Sequence, residues 1–156
     1  MIRLKIGDKA PFFSLPNQEG KIIQLSNYFN KRVLIYFYPK AMTPGCTIQA
    51  CKLRDDIYKF QQMNVEIVGI STDKFEKLLL FAKKEMLNFT LLSDHKHDVV
   101  KKFGVWGIKK LMGKTVYSVH RISFLINTKG EIEYIFDKFK TSNHHQIVLN
   151  YLNLHS

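Results

Sequence analysis

The sequence predicts an α/β fold in which a central mixed β-sheet carries helices on both faces. Segments rich in β-branched and aromatic residues alternate twice with segments of helical character, as in parallel strands joined by crossover helices. Two further strand segments around a short turn, and then a closing helix, add antiparallel strands. The 156 residues include 46% hydrophobic ones, and no repeat or linker divides them. We therefore expect residues 1–156 to form one domain.

The N-terminal part predicts a β-hairpin, followed by the first buried strand. Pro11 and Pro16 flank FFSL, Gly20 precedes IIQL, and residues 17–20 (NQEG) between them have turn character. Residues 32–38 (RVLIYFY) are apolar at nearly every position, which is typical of a strand covered on both faces.

A crossover helix and a second buried strand are expected next. Thr43 is a good helix cap, and Pro44 suits the first helical position because its missing N–H has no partner there. The helix should continue to about Met63. Residues 65–71 (VEIVGIS) form the second buried strand, which completes a right-handed βαβ unit.

The next helix is expected to be capped by Asp73, with Glu76 completing a capping box. Its apolar face consists of Phe75, Leu78, Leu79, Phe81 and Ala82. A short extended segment at 90–92 and a short helix at 98–103 follow. Residues 104–117 show no regular period and are predicted to form a long surface loop.

The C-terminal part predicts a β-hairpin and a final helix. Residues 119–126 and 131–136 are strand segments on either side of the turn at 127–130 (NTKG). The last helix should begin near residue 142 or 143. It should bury Ile147, Val148, Tyr151 and Leu152. This order of elements matches the thioredoxin-like fold, with an N-terminal β-hairpin extension and an insertion before the last hairpin.

The only two cysteines, Cys46 and Cys51, lie where the first buried strand is followed by the first helix. In such sheets active sites gather at the carboxyl ends of the parallel strands. Cys46 takes the third helical position, close to unpaired N–H groups and the positive end of the helix dipole. That position favours the thiolate, which is the reactive form of a cysteine.

The C-x4-C spacing differs from the C-x-x-C pattern of thioredoxin-type oxidoreductases and from that of zinc ribbons. Five residues along an ideal helix separate two Cα atoms by about 8–9 Å. A disulfide needs about 4.4–6.8 Å. Cys46 and Cys51 therefore cannot bond within one intact helix. Either they never pair, or pairing requires the start of the helix to unwind.

Residues 38–46 (YPKAMTPGC) resemble the P-x-x-x-T-x-x-C motif of the peroxiredoxins. The continuation TIQAC, residues 47–51, is similar to the subfamily called bacterioferritin comigratory protein, or PrxQ. The similarity extends to GDKAPFFSL, VGISTD, FTLLSD, FGVWG, GKT, HRISFLI and FKTSNHH, so that it covers nearly the whole chain.

The resemblance implies a thiol peroxidase that reduces hydrogen peroxide and organic hydroperoxides in antioxidant defence. Cys46 would be the peroxidatic nucleophile and would become a sulfenic acid. Thr43 would hydrogen-bond the thiolate or the peroxide, and Pro39 would shield the pocket. Backbone N–H groups around Gly45 and Cys46 would bind the developing anion. Arg121 would stabilise the thiolate and the charge on the leaving oxygen.

The resemblance also implies that Cys51 resolves the sulfenic acid into an intramolecular Cys46–Cys51 disulfide, which thioredoxin or a thioredoxin-like protein then reduces. The chain has no third cysteine, and none near the C-terminus, where dimeric two-cysteine peroxiredoxins keep their resolving thiol. We therefore expect no intersubunit disulfide, and the resemblance to this subfamily implies a monomer. Gln49 stands where many PrxQ relatives have glutamate, a carboxylate that could fix a neighbouring cation.

Several of these residues also have an ordinary structural alternative. Thr43 could be a helix cap, Arg121 a strand arginine paired with an acid, and Cys51 a small buried hydrophobic residue. Surface or capping roles are expected for His144 and His145, and we expect no metal ion or other cofactor.

The net charge of +11 could indicate a nucleic-acid partner, but the lysines are spread along the chain without a basic arm. We expect no nucleic-acid binding.

No apolar run approaches the roughly 20 residues that cross a bilayer, and no signal peptide is evident, so we expect a cytoplasmic protein without membrane contact. The alternatives to a peroxidase are a disulfide oxidoreductase, which lacks its C-x-x-C motif here, and a non-enzymatic holdase, supported only by the charge.

Overall fold

A computed structural model describes residues 3–156 of the chain. Its strands are β1 Ser14–Pro16, β2 Ile22–Gln24, β3 Arg32–Phe37, β4 Val65–Ser71, β5 Thr90–Ser93, β6 Trp106–Leu111, β7 Lys114–Val119, β8 Ser123–Ile126 and β9 Ile132–Phe136. Its α-helices are α1 Pro44–Asp55, α2 Ile57–Gln62, α3 Phe75–Glu85, α4 Asp98–Lys102 and α5 His144–Leu154. No helix within residues 3–156 is long and apolar enough to cross a membrane.

The central sheet has the strand order β5-β4-β3-β8-β9. Strand β4 pairs in parallel with β3 and with β5, whereas β8 is antiparallel to β3 and to β9. The mixed sheet is therefore confirmed. Strand β3 lies at its centre, and its carboxyl end leads through a short loop into α1, which carries both cysteines.

Side chains of β3 alternate between two hydrophobic cores, which explains why this strand is apolar at nearly every position. Leu34 and Tyr36 lie in the core that the sheet shares with α1, α2, α3 and α5. Val33, Ile35 and Phe37 lie in the core under α4 and the N-terminal hairpin of β1 and β2. Helices on both faces are thus confirmed, with four on one side and α4 on the other.

Gly69 allows β4 to lie close to a large side chain of its neighbour. It stands opposite Tyr36 in the parallel pairing of β3 and β4. A Cβ atom on Gly69 would lie 2.8 Å from ring atoms of Tyr36, which is closer than such atoms can approach. The buried Tyr36 ring shares its core with Cys46.

The helix predicted to run to Met63 is divided into α1 and α2 at Asp56, which has φ −103° and ψ 10°. The N–H of Asp56 bonds the carbonyls of Lys52 and Leu53, and its own carbonyl accepts a new bond from Lys59. Two successive aspartates are poor helix formers and are unfavourable at the negative end of a helix dipole. The prediction of one continuous helix was therefore wrong.

The capping box predicted at Asp73 was also wrong, because α3 begins at Phe75 with Lys74 at the cap position. The Asp73 carboxylate instead accepts hydrogen bonds from the Ala41 N–H and the Ser71 hydroxyl, both at 2.8 Å. The long-range hydrogen bond from Ala41 thus replaces the capping contact that was predicted within α3. It ties the loop before α1 to the end of β4.

The loop predicted at 104–117 is largely a β-hairpin, in which β6 and β7 are joined at Met112 and Gly113. Both turn residues have positive φ, 52° and 77°, as a two-residue type I′ turn requires. Methionine is unusual at the first of these positions. Most of the hairpin is exposed on both faces, so its sequence lacks the apolar alternation of a half-buried strand.

Apart from the strand over 119–126, the other predicted strands and helices are present with adjusted bounds. The N-terminal hairpin pairs β1 with β2, and the last helix begins at His144. The strand predicted over 119–126 is interrupted, since β7 ends at Val119 and β8 begins at Ser123. The interruption matters for the site, because it contains Arg121.

Candidate active site

The start of α1 leaves its first N–H groups available to an anion. Thr43 has the extended backbone of a cap residue, and its carbonyl accepts the N–H of Thr47 at 2.9 Å. Its hydroxyl does not cap the helix, since it donates to the carbonyl of Lys40 at 2.7 Å. Cys46, in the first turn, is 1% exposed. A thiolate there would benefit from the free N–H groups and the helix dipole.

Arg121 reaches Cys46 from the segment between β7 and β8. Its Nη2 donates a hydrogen bond to the Cys46 Sγ at 3.2 Å. Its Nη1 donates to the Oε1 of Gln49 at 2.9 Å. The planar guanidinium thus spans one turn of α1 and places a fixed positive charge beside the sulfur.

Gly45 and Gln49 fix where this guanidinium lies. A Cβ atom on Gly45 would come within 3.1 Å of the Arg121 Nη2, so the missing side chain makes room for the arginine. Gln49 is buried, and its amide oxygen accepts the hydrogen bond from Arg121. It therefore fixes a neighbouring cation, which is the role that the sequence suggested for a glutamate at this position.

The structure brings some of the sequence-predicted residues together and leaves others apart. Cys46, Gly45 and Arg121 form one contact group. Thr43 precedes this group by one turn, but its hydroxyl points to the carbonyl of Lys40. Pro39 is half-buried in the loop after β3.

Cys51 lies in a different environment on the same helix. Both cysteines are free thiols, and α1 is continuous from Pro44 to Asp55, which agrees with the distance argument from the sequence. The half-buried Cys51 Sγ donates to the Oε1 of Glu85, the last residue of α3, at 3.5 Å. Burial raises the pKa of the Cys51 thiol, the positive charge of Arg54 opposes this rise, and the hydrogen bond and charge of Glu85 add to it. A cation faces Cys46, whereas a carboxylate faces Cys51.

His144 departs from the surface or capping role predicted for it. The side chain is fully buried, and its Nε2 lies 2.8 Å from the Ser123 hydroxyl. Ser123 follows Arg121 by two residues, and the His144 ring packs against Phe139 with centroids 4.5 Å apart. The prediction failed because the first turn of α5 covers the sheet beside Arg121. His145 is half-buried, with its Nε2 3.8 Å from Asp56.

Stability should fall in mild acid because of His144. Burial, followed by the charges of His145 and Arg121, lowers its pKa from 6.5 to about 3. Between these values the unfolded chain binds a proton that the folded chain does not, so acid favours unfolding. Between these pKa values, this group lowers the free energy of unfolding by up to about 1.4 kcal/mol for each pH unit of acidification. Urea unfolding between pH 7 and pH 4 should show a shallower loss in His144→Gln than in wild type. Equal slopes would contradict this assignment.

Two groups of neighbours were not predicted from the sequence. Glu85 is 34 positions from Cys51, and no local motif links them. No local motif links Ser123 to His144 either, because they are 21 positions apart in the sequence.

The chain matches the model of the AhpC/TSA family over residues 6–135. It is 60% identical to peroxiredoxin Bcp of Escherichia coli strain K12 over 153 residues, which cover 98% of each chain. Among solved structures it is similar to the peroxidoxin BcpB of Mycobacterium tuberculosis, with 36% identity and a TM-score of 0.86 over 97% of this chain and 98% of that one. It is also similar to the bacterioferritin comigratory protein of Xanthomonas campestris, with 28% identity and a TM-score of 0.89 over 99% of each chain.

The relatives cover the whole thioredoxin-like fold, including α1 and the segment that carries Arg121. The buried cysteine at a helix start, the arginine on its sulfur and these relatives lead to one assignment. The chain belongs to the AhpC/TSA family, as a peroxiredoxin of the bacterioferritin comigratory protein type, and is a thiol peroxidase.

Proposed function

We propose that residues 1–156 act as one domain in which Cys46 reduces hydroperoxides and Cys51 resolves the product. The observation that carries this proposal is the hydrogen bond from Arg121 to the Cys46 Sγ at the start of α1. It places a fixed cation on the sulfur that would attack.

In the first step the Cys46 thiolate attacks the terminal oxygen of the hydroperoxide. A sulfur–oxygen bond forms as the O–O bond breaks, and the departing alkoxide takes a proton to become an alcohol, or water from hydrogen peroxide. Cys46 becomes a sulfenic acid. Arg121 and the N–H groups around Gly45 stabilise the charge that moves onto the oxygens. Once its hydroxyl turns away from the Lys40 carbonyl, Thr43 hydrogen-bonds the thiolate or the peroxide, and Pro39 limits solvent access.

In the second step Cys51 attacks the sulfenic sulfur of Cys46, and water leaves as the disulfide forms. The two cysteines are five positions apart on an intact helix, so the first part of α1 must unwind. A thioredoxin-like dithiol then supplies two electrons and two protons and restores both thiols.

The substrate class is inferred from one relative, because the X. campestris protein has alkyl peroxide reduction activity. We extend this activity to the present chain, together with hydrogen peroxide. Two free thiols that must be re-reduced after each turnover suit a reducing compartment, which supports a cytoplasmic location. A resolving cysteine within the chain supports a monomer that works without an intersubunit disulfide.

The proposal is tested by following NADPH consumption with the protein, thioredoxin, thioredoxin reductase and either hydrogen peroxide or an alkyl hydroperoxide. Consumption should require all components and should saturate with thioredoxin. Consumption no faster than that of an equal concentration of free cysteine would contradict the proposed function.

A further inference from the structure

The C-terminal half of α1 is fastened to the end of α3 and to the turn after it. The Cys51 Sγ donates to the Glu85 carboxylate at 3.5 Å, and Arg54 donates to the Glu85 backbone carbonyl at 2.6 Å. The Asn88 side chain donates to the carbonyl of Arg54 at 3.3 Å. These bonds hold Cys51 beside Glu85 independently of the first turn of the helix.

The N-terminal half of α1 is held differently. Arg121 binds both the Cys46 Sγ and the Gln49 side chain. When Cys46 becomes a sulfenic acid, its sulfur no longer carries the negative charge that attracts the guanidinium. This half is therefore the part expected to unwind, which brings Cys46 toward a stationary Cys51.

We propose that Glu85 is the general base that accepts the Cys51 proton during disulfide formation. The inference rests on the proposed function, in which Cys51 is the resolving cysteine. A thiol must lose its proton to attack, and the Glu85 Oε1 is already its hydrogen-bond acceptor. Glu85 thus touches one of the two reacting sulfurs and would be a catalytic residue for this step.

The step balances without another reactant. The Cys51 proton moves to the Glu85 carboxylate as the Cys51 sulfur bonds the Cys46 sulfur. The sulfur–oxygen bond of the sulfenic acid breaks, and its electrons leave with the oxygen as hydroxide. A proton from the Glu85 carboxylic acid, directly or through solvent, converts the hydroxide to water. Glu85 ends as it began.

The charged and titratable groups around this thiol come from three elements. Helix α1 supplies Arg54 and Asp55, α3 supplies Glu85, and β3 supplies Tyr36. The Asp55 carboxylate pairs with the Arg54 guanidinium at 2.8 Å, and burial raises the pKa of the Tyr36 phenol well above its usual value. Of these groups, Glu85 is therefore the carboxylate that accepts the hydrogen bond of the Cys51 thiol and is placed to take its proton.

The test compares wild type with Glu85→Gln, and with Glu76→Gln as the matched control on the first turn of the same helix. Each reduced protein is mixed with one equivalent of hydrogen peroxide, quenched with an alkylating reagent at short times and analysed by mass spectrometry. Formation of the sulfenic acid should be the same in all three. Disulfide formation should be slower by about 100-fold in Glu85→Gln, which is the typical contribution of a general base.

The direction of the effect separates two roles for the carboxylate. If Glu85 only raised the pKa of Cys51, its removal would increase the thiolate fraction and accelerate disulfide formation. If Glu85 acts as a general base, its removal should instead slow disulfide formation. The pH dependence adds a second readout, since between about pH 6 and pH 8 the wild-type rate should change little, whereas the rate of Glu85→Gln should rise steeply with pH as free thiolate takes over.

Unchanged or faster disulfide formation in Glu85→Gln, with wild-type pH dependence, would overturn the role of Glu85 and leave the proposed function intact. Failure of wild type to form a Cys46–Cys51 disulfide would contradict the proposed resolution step and this inference with it. Glu85→Asp keeps a carboxylate and should recover part of the rate, so that a general loss of folding can be told apart from a lost base. Equal slowing in Glu85→Asp and Glu85→Gln would also count against a base.

Discussion

Replacing Cys46 with serine is expected to abolish peroxide turnover. The hydroxyl of serine is a far weaker nucleophile than a thiolate. In this variant Arg121, which donates to the Cys46 Sγ in the wild type, has no thiolate to stabilise. The rate should fall by roughly 10⁴-fold or more, as it does when a catalytic nucleophile is removed. Peroxide consumption with thioredoxin, its reductase and NADPH measures the effect.

The matched control is Cys51→Ser, which removes the other thiol of the same helix. This variant should still reduce one peroxide per chain, because Cys46 and Arg121 are intact, but it should lose cycling with thioredoxin. Thiol counting after a single peroxide addition distinguishes the two variants. Unimpaired turnover in Cys46→Ser would end the mechanism proposed for this chain.

Replacing Arg121 with glutamine should cause the second-largest loss. The side chain donates to both Cys46 and Gln49, so its removal takes away the cation on the sulfur and the donor that meets the leaving oxygen. Loss of one such preorganised donor typically lowers the rate by about 10²–10³-fold. The second-order rate constant of Cys46 oxidation, followed by stopped flow, should fall by that amount.

Arg32→Gln is the matched control for the arginine, because Arg32 is a half-buried strand arginine that pairs with Glu133 at 3.1 Å instead of with a thiol. It should lower thermal stability and leave the oxidation rate of Cys46 close to that of wild type. Parallel losses of rate in both arginine variants would show that Arg121 acts through stability, which is the structural alternative that the sequence left open.

The parts of the fold that the sequence predicted well are those in which local chemistry and packing agree. The Thr43-Pro44 helix start and the two-sided apolar strand β3 are examples, since the residues that indicate each element lie within it. Asp73 shows the opposite case. It has the local pattern of a capping box, but its carboxylate accepts a hydrogen bond from the Ala41 N–H, 32 positions away.

The same reason explains what was missed around the site. Cys46 and Arg121 could be named because both lie in segments that resemble a family motif. Glu85 and the pair of Ser123 and His144 are joined to the site by topology alone, across 34 and 21 positions of sequence. The β6–β7 hairpin was missed because it is solvated on both faces, which removes the alternation that marks a strand.

Cys46 and Cys51 should form a disulfide only when the first part of α1 unwinds. The most direct measurement oxidises the protein with one equivalent of hydrogen peroxide and combines disulfide mapping with amide hydrogen exchange. We expect a Cys46–Cys51 disulfide, faster exchange confined to residues 44–50 and retained protection at the end of α3. A Cys46–Cys51 disulfide in a chain whose α1 stays protected from Cys46 through Cys51, or a persistent sulfenic acid without a disulfide, would contradict this mechanism.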